Sequence, residues 1–217
     1  TAARDERFTF TVEAGQEYFA RVYDADFRGN RSFVYRLSFT PGARLLSTFP
    51  AAVQRGTVQD VEFFGFGLAT GTAKFESVNR TLSVPTDPAA KSFSGQLRLN
   101  GDQSLSFEIP LSDLQEQVEA RRQGQVATMP VELTVPSAIT GVLEQRYGID
   151  RYRLSGTKGD IWTIDVQAES LGSPLDVSLA IIKEDGTEVK RVDDAPGTTD
   201  ASIEFTVPQD GIFELHV

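Results

Sequence analysis

The chain has 217 residues, with 21 basic against 31 acidic side chains, a formal net charge of −10 and no cysteine. Disulfides, thiol nucleophiles and Cys-ligated metal centres are therefore excluded. A Ser-His-Asp triad would have to use the lone histidine, His216, and the acidic balance argues against nucleic-acid binding, which needs clustered Lys and Arg.

No run of about 18 apolar residues exists, so no transmembrane segment is expected. Lack of cysteine fits either a reducing compartment or a bacterial secreted protein that avoids thiols. Residues 1–5 carry no apolar signal core. Either a leader has been removed or the chain is an internal piece of a longer one.

Period-two alternation dominates and predicts half-buried strands. Phe8, Phe10 and Val12 share one parity, a turn follows over 13–16, and Tyr18, Ala20 and Val22 alternate again. After a polar loop over 24–30, Phe33, Tyr35, Leu37 and Phe39 form a third set. Thr40, Pro41 and Gly42 break the pattern, so a boundary is placed there.

The middle stretch, 43–136, has a different texture. A strand runs through Val58, Val61 and Phe63, with Gly65-Phe66-Gly67 expected to interrupt it as a bulge or tight turn. Further strands are predicted near 72–77, 93–99 and 105–109, the last two joined by a hairpin at Asn100-Gly101-Asp102. Leu111, Leu114 and Val118 fall at helical spacing, and Ser112 with Gln115 makes a capping-box pattern. A short helix or turn is expected over 111–122, with irregular structure as the alternative. A strand over 131–135 is expected to close this unit.

From 137 alternation returns: Tyr152 and Leu154; Trp162, Ile164 and Val166; Val177, Leu179 and Ile181; Ile203, Phe205 and Val207; Phe213, Leu215 and Val217. Turns are predicted at 155–159, 184–186 and 208–211. Short strands at regular spacing predict antiparallel β-sandwiches.

An internal repeat organises the whole. Residues 5–22 align with 200–217 without a gap: Asp5 with Asp200, Phe10, Thr11 and Val12 with Phe205, Thr206 and Val207, Tyr18 with Phe213, Val22 with Val217. The first copy runs on into 33–39, whereas no equivalent follows Val217. Residues 1–42 therefore read as the tail of one β-sandwich and 137–217 as another lacking its last strand. An unpaired apolar edge is an aggregation hazard. Strand 33–39 is accordingly expected to complete an open edge near 213–217, in the same chain or a neighbouring copy.

The order of Asp150, Gly159 before the Trp162 strand, Ser173 to Asp176, Glu184-Asp185-Gly186, Asp193-Asp194, Asp200 and Asp210-Gly211 resembles the bacterial pre-peptidase C-terminal domain. Residues 5–39 look like the second half of the same family, except that Gly15-Gln16 stands where the other copy has Asp210-Gly211. Residues 43–136 are similar to immunoglobulin-like domains of the plexin and transcription-factor type, through Phe49-Pro50, Arg55-Gly56-Thr57 and Gly65-Phe66-Gly67-Leu68. The resemblance implies jelly-roll-like accessory modules in large secreted or cell-surface bacterial proteins, beside peptidases or other effector domains. Some such relatives bind calcium or collagen.

Most of the net negative charge lies in 137–217. Calcium takes six to eight oxygen ligands, and the candidate ligands are Asp193, Asp194 and Asp200, with Asp176 near. Asp24, Asp26 and Asn30 form a second loop of oxygen donors. No twelve-residue calcium-loop pattern is present, and solvated turn carboxylates are the plainer reading. Trp162 is expected in the core, as are Tyr18 and Tyr35 by parity. His216 is expected on the surface.

The expected function is a non-catalytic extracellular module in spacing, adhesion or cell-surface assembly, partnered by neighbouring domains or copies. The alternative is a calcium-dependent accessory module that targets an attached hydrolase to polysaccharide or matrix protein. An enzyme would need a cleft flanked by two selected acids, and no pair is singled out.

Overall fold

A computed structural model describes residues 8–24, 26–120, 129–173 and 175–217. Asp5 of the repeat and the last two residues of the expected helix lie outside these. The chain is all-β, as alternation predicted, with one single-turn 3-10 segment among the described residues, at Glu169–Leu171. No helix among the described residues is long and apolar enough to cross a membrane.

The first sandwich contains β1 (Arg44–Phe49), β2 (Val53–Gln54), β3 (Val58–Phe66), β4 (Phe75–Ser83), β5 (Ser92–Arg98) and β6 (Ser104–Ser112). One sheet has the order β1-β3-β4 and the other β2-β6-β5. Between them lies a core of Val53, Val61, Phe63, Leu68, Leu97 and Ile109 with the Phe107 ring. Each fully buried side chain of this size contributes about 1.5–3 kcal/mol. β5 and β6 form the expected hairpin around Gly101, whose φ is +73°. β3 does not break at Gly65. It runs on to Phe66, and the irregularity sits opposite, between Leu45 and Ser47 of β1. The Arg44 carbonyl occupies the space a Cβ at position 65 would need.

Beyond β6 the chain forms β7 (Glu116–Val118), not the helix suggested by leucine spacing. Ser112 Oγ accepts the Leu114 N–H at 3.1 Å, closing a turn instead of capping a helix. β7 is then drawn into a parallel pair with β9 (Ala138–Thr140). Tertiary pairing here overrides a weak local preference.

The second sandwich holds β8 (Val131–Glu132), β10 (Arg151–Gly156), β11 (Ile161–Val166), β12 (Leu179–Lys183), β13 (Glu188–Val192), β14 (Ala201–Thr206) and β15 (Gly211–His216). Its large sheet has the order β13-β12-β15-β10-β8, faced by β11-β14. β8 pairs in parallel with β10, so the strand expected to close the first unit belongs to the second. The inward sets predicted from Tyr152 to Leu215 form the core, centred on Trp162 with Phe205 and Phe213 at 5.9 and 5.7 Å between ring centroids.

Two expectations fail at once for 8–39. No described residue there lies in a strand, and Phe10 and Tyr18 are 45% and 48% exposed. Tyr35, expected inward, is exposed as well. The edge proposed to receive 33–39 is closed, because β15 is flanked by β10 on one side and β12 on the other. An apolar face with neither ladder partners nor a second layer lacks the burial needed to order strands.

Candidate functional site

The acidic loops of the second sandwich face each other across 168–171 and 193–200. Asp200 accepts the N–H groups of Ala168, Glu169 and Ser170 at 2.7, 2.8 and 3.3 Å. Glu169 Oε2 reaches back to the Thr199 N–H at 2.9 Å and to the hydroxyls of Thr198 and Thr199. Partial burial would raise the Asp200 pKa, but the Ser170 hydroxyl and the three N–H groups outweigh it and hold the carboxyl below its ordinary value. The Thr199 N–H, then the threonine hydroxyls, do the same for Glu169.

Asp193, Asp194 and Asp176 are exposed, whereas Asp200 is half-buried and bonded to backbone. Among the described residues, no three His, Asp or Glu side chains come together as a metal site. In the second oxygen-rich loop, Asp24 accepts the N–H groups of Asp26 and Arg28, and Arg28 pairs with Asp26 at 2.8 Å. Asn30 accepts from Ser32 at 2.7 Å. These donors close their own turns.

The contact between the sandwiches carries the two buried charged side chains among the described residues, Glu119 and Asp150, 8% and 7% exposed. The β7–β9 ladder continues through Glu119 N–H to Thr140 O at 2.9 Å and Ala138 N–H to Gln115 O at 3.1 Å. Thr140 Oγ1 accepts the Ala51 N–H from the first sandwich. Gly141 sits inside this cluster. A Cβ there would lie 2.6 Å from Tyr152 Oη, 2.9 Å from Glu119 Oε2 and 3.3 Å from Asp150 Oδ2. Only glycine lets two carboxylates and a phenol close around the backbone at this point. Beside it, burial raises the Glu116 pKa despite a bond from the Ser112 hydroxyl.

Sequence reasoning missed this junction. Glu119 lay within the expected helix, and Asp150 was read as the start of a strand; no spacing motif links positions that meet only through β7–β9 pairing.

Two further features complete the surface. The outer face of β3 and β4 carries Phe64, Phe66 and Phe75, with Phe64 and Phe75 parallel at 6.1 Å and Phe66 edge-on to Phe75 at 6.0 Å. On the outer face of the large sheet, Arg153 bonds Glu214 at 2.8 Å and Glu132 at 3.3 Å, and Glu214 also meets His216 at 3.4 Å. His216 is half-buried in this ion network.

Comparisons of the chain with protein-family models, curated proteins and solved structures gave no match.

Proposed function

We propose that the chain is a non-catalytic β-sandwich module that holds its neighbours at a fixed spacing within a larger secreted or surface-attached bacterial protein. The observation that supports this reading is the junction. Two sandwiches are linked by a backbone ladder, two buried carboxylates and a glycine around which those carboxylates and a phenol close. Flexibly tethered domains bury little between them and move freely, whereas shared ladder bonds and buried polar groups resist rotation. The resemblance to pre-peptidase C-terminal and immunoglobulin-like modules points the same way.

Lack of cysteine makes the test clean. Spin labels on Ser77→Cys in β4 and Thr163→Cys in β11, both exposed strand positions, should give one narrow distance distribution by pulsed electron resonance. A broad or multimodal distribution would overturn the spacer reading.

The second reading is a matrix- or polysaccharide-targeting module; the Phe64–Phe66–Phe75 cluster supports the targeting, since aromatic faces pack on sugar rings and apolar peptide, and calcium dependence is left to the test. Pull-down on insoluble polysaccharides and collagen, with calcium or with chelator, decides it. Retention that Phe75→Ser abolishes supports targeting, and no retention in either condition removes it.

A further inference from the structure

We propose that residues 8–39 are a docking surface for a β-sandwich half with the strand pattern of 150–192, supplied by the same polypeptide ahead of this segment.

The inference starts from how the second copy of the repeat is paired. β14 and β15 follow one another in sequence but do not pair with each other. β14 bonds to β11, with Phe205 opposite Trp162, while β15 enters the other layer between β10 and β12. The two strands, joined by the turn expected at 208–211, form an arch from one sheet to the other and not a hairpin. All their ladder bonds go to strands between Arg151 and Lys183. An isolated copy of this arch therefore lacks the ladder partners of both its strands, which accounts for the strand pattern without strands over 8–22.

The first copy keeps the arch's internal contacts. Phe10 and Tyr18 lie 5.6 Å apart between centroids; the equivalent Phe205 and Phe213 lie 5.5 Å apart. Two differences between the copies also compensate. Tyr18 Oη accepts the Glu13 N–H at 2.9 Å, whereas the second copy has Pro208, without an N–H, and Phe213, without a hydroxyl. The turns differ as the sequences suggested, with Gly15 at φ +80° and neither Asp210 nor Gly211 at positive φ. The first copy lacks the Trp162-like ring that covers the pair, and Phe213 is 2% exposed where Tyr18 is 48%.

The occupant follows from what is already filled. In this unit, or in a second copy of the chain, the two places that such an arch fills, one edge of β11 and the gap between β10 and β12, are taken by its own β14 and β15. Only a separate stretch with that pattern has them open, and in the second copy every receiving strand precedes the arch in sequence. The partner should present a large aromatic opposite Phe10 and two strands flanking 16–21. Strand 33–39 would then add Phe33, Leu37 and their neighbours, now exposed, to the same unit.

This inference rests on the modular reading, but its test is separate from the spin-label measurement. Residues 137–199 are fused directly ahead of Asp5, so that Asp5 takes the place of Asp200, and hydrogen exchange is compared with the unaltered chain. Amides of 8–22 and 33–39 should slow by about a hundredfold or more, and Phe10→Asp in the fusion should abolish the slowing while 44–217 stays protected. Unchanged exchange in a fusion whose 44–217 remains native overturns the proposal. If the fusion disturbs 44–217, residues 137–199 are co-expressed as a separate chain with the intact protein, and failure to co-purify overturns it. Concentration-dependent self-association of the unaltered chain that protects 8–39 also overturns it, by assigning the surface to a second copy.

Discussion

Asp200 and Glu169 hold each other's loops: each carboxylate accepts a backbone N–H from the segment that carries the other, at 2.7–2.8 and 2.9 Å. The acids singled out as metal candidates include one that serves as a backbone clasp. Both carboxyls titrate below their ordinary range. With folded values below unfolded ones, their stabilisation is full above about pH 5, where the unfolded carboxyls are ionised too, and is lost as pH falls through the folded values. Asp200→Ala should cost about 1–2 kcal/mol at pH 7 and flatten the loss of stability between pH 5 and pH 2.5, measured by urea unfolding. An unchanged acid limb in the variant would refute the clasp.

Gly141→Ala should be among the more damaging small substitutions in the chain. Its methyl would meet Tyr152 Oη and Glu119 Oε2 below 3 Å, and forcing such contacts costs about 1–3 kcal/mol. Calorimetry should record a lowered Tm, and the spin-label distribution between the sandwiches should broaden. A lower Tm with an unchanged distribution would place the strain inside one sandwich.

Arg55 ties three parts of the first sandwich. It pairs with Asp113 at 2.7 Å, donates to the Ala90 carbonyl at 3.1 Å and bonds the Asp87 carbonyl as well. A single ammonium cannot fork in this way, so Arg55→Lys should lose about 1–2 kcal/mol by denaturant unfolding despite keeping its charge. Asp113, held below its usual pKa chiefly by the Arg55 hydrogen bond, should move back toward it in the variant, as carboxyl NMR titration would register.

Arg153 gives the opposite case. Its links to Glu132 and Glu214 lie on the sheet's outer face with a third of the side chain exposed, and surface pairs contribute about 1 kcal/mol or less. Arg153→Met should change stability by no more than that, and the difference should shrink in about 0.5 M salt, which weakens attraction between exposed charges. A large, salt-insensitive loss would mean that the side chain acts through packing.

Legibility in the sequence tracked how local each cause was. Alternation placed the inward faces of β10, β11, β14 and β15, because side-chain parity is a property of the strand itself. The same alternation misled over 8–39, because parity says nothing about whether ladder partners exist. Leu111, Leu114 and Val118 match a helical stripe, yet β9 captured the backbone at 116–118, a competition decided by residues beyond the window. Asp200 was found for its charge and proved to matter for its position beside three N–H groups. Glu119 and Gly141 carry no signal of their own, and Asp150, legible as a strand start, gives no hint of the buried cluster it joins.

The central place of β15 sets the order in which the second sandwich can be made. During synthesis β10 and β12 leave the ribosome well before the strand that separates them, so the five-stranded layer cannot zip from its start. A zipper missing its middle tooth stays open. Nascent chains arrested before residue 211 should remain protease-sensitive across 150–192, and arrest behind an added unstructured extension that carries Val217 clear of the exit tunnel should close the unit in one step.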